Sequence, residues 1–116
     1  MSRTGSAARR ADTAPVFAAL GDATRLRLVA RLCANGPLSI THLSDGEAVT
    51  RQAITKHLHA LADAGVVRGA RRGREQIWEL QPKRLEVARR YLDQVSVQWD
   101  SALDRLRTFV EEDDAP

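Results

Sequence analysis

The spacing of apolar positions is clearest in the stretch TRQAITKHLHALADAGVV, residues 50–67. Ile54, Leu58 and Leu61 recur there at helical spacing and predict one buried helix face. Thr50 can cap this helix at its start, and a glycine follows its last turn. The remaining face is polar and basic, so burial does not explain it.

A shorter helix is predicted near the start of the chain. Residues 1–11 are small, polar and basic without periodicity, and we expect a flexible arm there. The first helix then begins at about Asp12 or Thr13 and ends at Gly21. Pro15 falls early in it, where a missing N–H group costs little. The apolar face of this helix holds Val16, Phe17 and Leu20.

Two further helices are predicted before residue 50. Asp22 can cap the second, and an Asn-Gly-Pro run that starts at Asn35 ends it. Ser39 can cap a short third helix that ends near Asp45. A short capped helix, a tight loop and a helix with a polar outer face form a helix-turn-helix pattern. The second helix is predicted to bury one apolar stripe, namely Leu26, Val29, Ala30 and Cys33, widened by Leu28 and Leu32.

Beyond Gly65 the apolar pattern changes from helical spacing to alternation. Val67 begins a first strand, and Gln76, Trp78 and Leu80 alternate along a second. Between the strands, Arg-Arg-Gly-Arg at residues 71–74 is predicted to be a turn, with a basic tip. A basic hairpin directly after a helix-turn-helix is typical of a wing.

The chain is predicted to end in a long helix. Pro82 breaks the preceding strand, and apolar residues then recur at three- and four-residue steps from about Arg84 to Glu111. Twenty-eight residues span about 42 Å, which is longer than the core of this small domain needs. Its surplus apolar strip would be an exposed patch unless a second copy covered it. The expected dimer contacts are Val16, Phe17, Leu20, Val95, Trp99, Leu103, Leu106 and Phe109.

Length and composition limit the alternatives. The 116 residues predict one domain over residues 12–112, followed by an acidic tail, residues 113–116. No apolar run is long enough for a membrane span and no secretory signal is evident, so we expect a cytoplasmic protein. Cys33 is the single cysteine, which excludes an intrachain disulfide and suits a reducing compartment.

Charge is distributed unevenly. Residues 51–74 hold six basic residues and one acid, whereas residues 83–114 hold six basic residues and eight acids. A basic middle beside an acid-ended tail suggests a polyanion as the partner of the middle.

The polar face of the fourth helix suits double-stranded DNA. An α-helix fits the major groove, where arginine can pair with guanine, glutamine with adenine, and threonine with a base or a phosphate. His57 flanks the apolar stripe, so we expect it to be structural or bonded to a phosphate. The expected DNA contacts are Thr50, Arg51, Gln52, Thr55, Lys56 and His59 on the helix and Arg71, Arg72 and Arg74 on the wing.

Four segments together resemble the ArsR/SmtB family of winged-helix transcriptional repressors: FAALGDATRLRLVARL (17–32), TRQAITKHLHALADAGVV (50–67), RRGREQIWEL (71–80) and WDSALDRLRTFVEE (99–112). The resemblance covers about residues 14–112. It implies a mainly α fold with a small β-hairpin wing, dimeric through its first and last helices. It also implies a homodimeric repressor that binds a pseudo-palindromic operator until an inducer arrives.

The sequence departs from this family where many members bind metals. The positions of a family Cys-x-Cys pair hold Ser39 and Thr41, and the last helix contains no histidine. We therefore expect no metal and no other cofactor. His42 together with Asp45 or Glu47 stays open as a non-standard metal site.

Two other functions remain open. The chain could be a winged-helix protein-interaction module without DNA binding, or a metal- or redox-responsive sensor with a non-standard site. Cys33 lies in the predicted apolar stripe, so we expect it to be buried. No nucleophile elbow and no phosphate-binding glycine loop is present, so we expect no catalysis.

Overall fold

The computed structural model describes the backbone of residues 6–113 and the side chains of residues 13–112. Over that range the chain forms a mainly helical domain with one small antiparallel sheet, which confirms the predicted winged helix-turn-helix fold. The elements are α1 (Ser6–Leu20), α2 (Ala23–Asn35), β1 (Leu38–Ser39), α3 (Ile40–Ser44), α4 (Arg51–Asp63), β2 (Val67–Arg72), β3 (Glu75–Leu80) and α5 (Pro82–Asp113).

The first helix is longer than predicted. It begins at Ser6, so the expectation of a flexible arm over residues 1–11 was wrong from residue 6 onwards. Alanine and arginine favour helix strongly, and this propensity outweighed the polar composition. Pro15 therefore lies well inside α1 rather than in its first turn. The first five residues, like residues 114–116 of the predicted acidic tail, lie outside the described residues.

The second helix buries only part of the apolar stripe predicted for it. Leu28 and Leu32 are its buried residues, whereas Leu26 is 51% exposed and Cys33 is exposed. Val29 packs against the core as predicted, and Leu28 and Leu32, which were predicted only to widen the stripe, form its buried centre. The prediction that Leu26, Ala30 and Cys33 are buried was wrong. Apolar residues cover more than one face of α2, and contacts with α1, α4 and β3 select the face that carries Leu28 and Leu32.

The fourth helix follows the prediction closely. The side-chain oxygen of Thr50 accepts a hydrogen bond from the Ala53 N–H over 3.1 Å and caps the helix. Ile54, Leu58 and Leu61 are fully buried at the centre of the core. Each such side chain stabilises the fold by about 1.5–3 kcal/mol relative to an exposed one, so α4 is anchored firmly through its inner face.

The sheet contains one strand more than the predicted hairpin. Its order is β1-β3-β2, and β1 pairs antiparallel with the Ile77–Trp78 part of β3. Arg71 and Arg72 belong to β2, so the turn is confined to Gly73 and Arg74 and is shorter than predicted. Gly73 has φ 63°, as expected for glycine at the first position of a tight hairpin turn.

The last helix projects far beyond the core. It begins at Pro82 and runs for 32 residues, about 48 Å. Leu85 and Ala88 pack against the core, but most residues from Arg89 onwards are exposed. The radius of gyration is 19.6 Å, compared with about 13 Å for a compact domain of this length. The distal part of α5 is therefore an arm outside the core.

One predicted dimer contact is excluded by burial. Val16 is 1% exposed and lies in the core, so its assignment to the dimer interface was wrong. Phe17 and Leu20 are half-buried against the same core. The Phe17 ring lies 6.0 Å from the ring of Tyr91, measured between centroids, which joins α1 to α5. The reason for the error is that α1 packs against α2, α4 and α5 of its own chain.

Within the described residues, no helix combines the length and apolar character needed to cross a membrane. Over the same residues, histidine, cysteine and acidic side chains form no group of three that could hold a metal ion.

Candidate nucleic-acid interface

The outer face of α4 presents three exposed polar side chains from its first two turns, Arg51, Gln52 and Lys56. Gln52 and Lys56 make no hydrogen bond to another described side chain, so their polar groups are open to a ligand. The inner face is fully buried, which fixes the direction in which this outer face points. The sequence prediction that these three residues share an exposed face is thus consistent with the structure.

Arg51 is oriented by the preceding helix. Its Nη2 donates a hydrogen bond to Thr41 Oγ1 of α3 over 3.2 Å. An arginine guanidinium carries five N–H donors, so the others remain available after this contact. The sequence prediction did not include Thr41 among the functional residues, because a contact between side chains ten positions apart leaves no periodic signal.

The two threonines of the predicted site are partly engaged by the backbone. Thr50 caps α4, so its hydroxyl oxygen is already in use as an acceptor. The half-buried Thr55 donates its hydroxyl hydrogen to the Arg51 carbonyl over 3.0 Å. Thr50 can still donate to a phosphate and Thr55 can still accept a hydrogen bond, but both have fewer free groups than the sequence suggested.

The three histidines have different surroundings. His57 is half-buried and its Nδ1 accepts a hydrogen bond from Arg25 Nε over 3.1 Å, as expected for a structural role. His59 is exposed, and its ring packs edge-to-face against the ring of Trp78, with the ring centroids 5.5 Å apart.

His42 is exposed and its Nδ1 lies 2.9 Å from Ser39 Oγ. The carboxylate of Glu47, one of its proposed metal partners, instead faces Arg27.

An open cleft of about 270 Å³ separates α4 from the sheet. Residues of α3, α4 and β3 form its walls, and most of them carry polar groups: Ile40, Arg51, Thr55, His59, Gln76 and Trp78. The sequence prediction missed Gln76, although the alternation of β3 places it on the same side as the buried Trp78. The cleft joins the reading face of α4 to the base of the wing.

The wing arginines do not form a single cluster. Arg71 is paired with Gln76 in the sheet and shares the face of Trp78, towards the cleft, whereas Arg72 lies on the opposite face and is paired with Glu75. Arg74 occupies the turn. All three are exposed, and none forms a hydrogen bond or ion pair with another side chain in the described part of the chain.

A fourth arginine of the wing is neutralised. Arg68 donates from Nε to Glu79 Oε1 over 3.1 Å and from Nη2 to the same oxygen. This hydrogen bonding holds the pKa of the Glu79 carboxyl below its ordinary value, and Arg72 acts in the same direction. The open positive charge of the wing therefore lies at its tip and not along its whole length.

Comparison with known proteins agrees with this arrangement. The family described as "Helix-turn-helix domain" matches residues 20–70, which include α2, α3 and α4. The HTH-type transcriptional regulator Rv2034 of Mycobacterium tuberculosis is 36% identical over 85 residues, which cover 73% of this chain and 76% of that protein. This relative is a regulator of transcription by its name.

Two solved structures share most of the fold. The ArsR-like transcriptional regulator from Rhodococcus sp. RHA1 is 34% identical with a TM-score of 0.70, covering 86% of this chain and 93% of that one. The homodimeric winged helix-turn-helix DNA-binding domain of Mb0332 from Mycobacterium bovis is 27% identical with a TM-score of 0.62. It covers 79% of this chain and 83% of that one.

Proposed function

The chain belongs to the ArsR family of winged helix-turn-helix transcriptional regulators, and we propose that it is a homodimeric repressor of a pseudo-palindromic operator. Membership makes it a DNA-binding regulator of transcription. The observation that carries the proposal is the exposed row of Arg51, Gln52 and Lys56 on a helix whose opposite face is fully buried.

In the proposed complex, α4 lies in the major groove. Arg51 and Gln52 stand in its first turn and read base edges, because the N-terminal residues of such a helix reach deepest into the groove. Lys56 and His59 contact the DNA further along the helix. Thr50 and Thr55 contact it through the hydrogen-bonding capacity of their hydroxyls that the backbone does not use. The wing arginines, Arg71, Arg72 and Arg74, bind phosphates or the adjacent minor groove.

The proposed dimer uses the distal arm of α5. Leu92, Val95, Trp99, Ala102, Leu106 and Phe109 repeat with alternating steps of three and four residues along one side of the helix. Trp99 is 61% and Phe109 67% exposed in the single chain, and Leu103 lies beside this stripe. An apolar stripe of that length is covered in a stable soluble assembly. Phe17 of α1 contacts Tyr91, next to Leu92 where the stripe begins, and Leu20 lies one turn further along α1.

Self-association also explains how the operator is read. A two-fold dimer presents two copies of α4 to successive major grooves, about 34 Å or a multiple apart, and therefore selects a pseudo-palindrome. Mb0332 is a homodimeric relative with the same fold, which supports this arrangement.

Selection of bound fragments from random duplex DNA tests the proposal. We expect a two-fold symmetric site to emerge, and its affinity to fall with rising salt with a log–log slope of several units. A two-fold symmetric site with a salt slope of several units supports binding of an operator by a dimer, as the proposed repressor requires. Absence of duplex binding at low salt contradicts it and favours the protein-interaction module.

Exposure of Cys33 gives the redox-responsive alternative one supporting observation. A cysteine switch needs an accessible thiol, and Cys33 is exposed although the sequence predicted that it is buried. In this alternative, the redox response acts through the Cys33 thiol. Operator binding before and after peroxide treatment, compared with Cys33→Ser, tests it: inhibition that persists in the variant contradicts this role.

A further inference from the structure

The turn between α3 and α4, residues 45–50, has little apolar anchorage. Five of its six residues are exposed, and only Glu47 turns inward, with a side chain that is 6% exposed. The short α3 contributes one fully buried side chain, Leu43. The position of this turn therefore depends on polar contacts rather than on packing.

Glu47 is held by α2. Its Oε1 accepts hydrogen bonds from Arg27 Nε over 3.3 Å and from Arg27 Nη2 over 3.1 Å. Its other oxygen, Oε2, lies 3.9 Å from Arg31 Nη1. Arg27 Nη2 also donates to Thr24 Oγ1, which fixes the guanidinium on the surface of α2. Charge-assisted contacts of this kind are stronger and more directional than neutral hydrogen bonds.

Arg31 holds the C-terminal end of α3. Its Nη2 donates to the His42 carbonyl over 2.7 Å, and its Nη1 donates to the carbonyls of Leu43 and Asp45 over 3.1 and 2.8 Å. The last carbonyls of a helix lack partners within that helix, so they need donors from elsewhere. One arginine fork donates to two carbonyls of α3 and to the Asp45 carbonyl directly after it, which a lysine ammonium at the same position cannot reproduce in the same geometry.

These contacts join the turn to a rigid base. Leu28 and Leu32 anchor α2 in the core, so the arginines on its outer side extend from a firmly held backbone. Arg51, the first residue of α4, follows Glu47 by four positions. We propose that Arg27, Arg31 and Glu47 form a polar strap that positions the first turn of α4 for base recognition without touching DNA. This inference rests on the proposed function, in which Arg51 and Gln52 read bases.

The strap affects specific binding more than non-specific binding. Paired hydrogen bonds to a base edge require a side chain placed to within about 0.5 Å. Phosphate contacts tolerate displacement, because they depend mainly on charge. A loosened turn therefore lowers the affinity for the operator while the affinity for unrelated duplex DNA stays nearly constant.

The test compares two DNA duplexes of equal length, the selected site and a scrambled version. Fluorescence anisotropy gives the affinity of full-length protein for each, and thermal unfolding reports the fold. The variants are Arg31→Lys, which keeps the charge but loses the fork, and Glu47→Gln, which keeps the size but loses the charge. Glu86→Gln is the matched control, because Glu86 accepts from Arg89 on α5, away from the helix-turn-helix.

We expect both strap variants to bind the selected site about tenfold more weakly and the scrambled duplex almost as well as wild type does. Glu86→Gln should leave both affinities unchanged. Equal losses on the two duplexes would show that Arg31 contacts phosphate, and would overturn the positioning role. A lower melting temperature with an unchanged affinity ratio would overturn it as well. If Arg31→Lys does not fold, the same comparison is decided by Glu47→Gln.

Combination with Arg51→Ala tests whether the strap acts through the first turn of α4. If the strap acts through the first turn of α4, Arg31→Lys should cost less affinity for the selected site in an Arg51→Ala background than in wild type, because only Gln52 is then left for the strap to position. Full additivity would contradict the strap. A wild-type protein that binds both duplexes equally would contradict the proposed function itself, whereas specific wild-type binding with unaffected strap variants would contradict the strap alone.

Discussion

Arg25 Nε donates a hydrogen bond to His57 Nδ1 over 3.1 Å and joins α2 to α4 across 32 positions of sequence. The same guanidinium donates from Nη1 to the carbonyl of Ala19 at the end of α1. One side chain therefore connects three helices, and His57 faces away from the proposed DNA surface. Its neighbour His59, two positions further on, contacts Trp78 beside the cleft.

Loss of the His57 ring should lower stability without a sequence-specific effect on DNA binding. His57→Ala removes the acceptor of the partly buried Arg25 Nε, and we expect a loss of about 1 kcal/mol in the free energy of unfolding. Urea unfolding measures this. Lys56→Ala, at the adjacent exposed position, is the control and should change stability by less than about 0.5 kcal/mol. Equal effects of the two changes would show that the hydrogen bond contributes nothing.

Base recognition should depend on the first turn of α4. We expect Arg51→Ala and Gln52→Ala each to cost about 1–3 kcal/mol in operator binding and to relax preference at one base position. Affinities for a set of single-base operator variants measure this. If every sequence lost the same affinity, these residues would contact only phosphates.

The contact between Thr41 and Arg51 should influence the same base position. Thr41→Val removes the hydroxyl at nearly constant volume, so Arg51 loses a contact that orients it. We expect a weaker preference at the base that Arg51→Ala affects, with a smaller loss of affinity. Thr41→Ser retains the hydroxyl and should behave as wild type in the same operator set. A loss in the serine variant as large as that in the valine variant would argue against an orienting role.

The wing should contribute charge rather than sequence information. Arg71 lies on the cleft side of the sheet, so Arg71→Ala should weaken binding uniformly across sequences and reduce the salt slope by about one unit. Titrations of salt against affinity measure this slope. The double change Arg68→Ala with Glu79→Ala is the control, because it removes an ion pair whose charges already cancel. An unchanged slope for Arg71→Ala would place the wing outside the interface.

The apolar stripe of α5 should hold the dimer together. Trp99→Asp puts a charge at the middle of the stripe, and we expect it to yield monomers and to abolish operator binding. Sedimentation equilibrium measures the mass. Val97→Asp is a close control, since Val97 is similarly exposed but lies on the other side of the same helix. A dimer that survives Trp99→Asp would overturn the interface.

Stability at acid pH should depend on the cap of α2. A hydrogen bond from the Arg25 N–H holds the pKa of the Asp22 carboxyl below its ordinary value of 3.8. Because the folded-state pKa is the lower one, the carboxylate stabilises the fold above pH 3.8. This stabilisation is lost as the pH falls through the folded-state value.

Asp22→Asn tests this pH dependence, since asparagine also caps helices but does not titrate. We expect near wild-type stability at neutral pH and a smaller loss on acidification, measured as urea midpoints at several pH values. Asp63→Asn, at an exposed carboxylate of α4, is the control. If the stability of Asp22→Asn fell as steeply with acid as that of wild type, the Asp22 cap would not be the cause of the acid-induced loss of stability.

The helix-turn-helix elements could be predicted because their signals are local. Ser39 and Thr50 cap α3 and α4 as predicted, and the spacing of Ile54, Leu58 and Leu61 identified the buried face of α4. The exposed reading face followed directly as the remainder of the same helix. The contacts of these residues with DNA stay a prediction.

Tertiary structure decided what local pattern left ambiguous. Apolar residues surround most of α2, so only packing against its neighbours selected Leu28 and Leu32 and left Cys33 exposed. β1 has two residues, too few for a period, and exists only because β3 pairs with it. The hydrogen bond from Arg25 Nε to His57 spans 32 positions of sequence, and the one from Arg31 to the His42 carbonyl spans 11. Sequence by itself therefore determined the order of the helices, the caps of α3 and α4 and the buried face of α4, because capping and periodicity act over a few residues. Only the folded chain determined how those helices hold one another, because that depends on which distant groups meet.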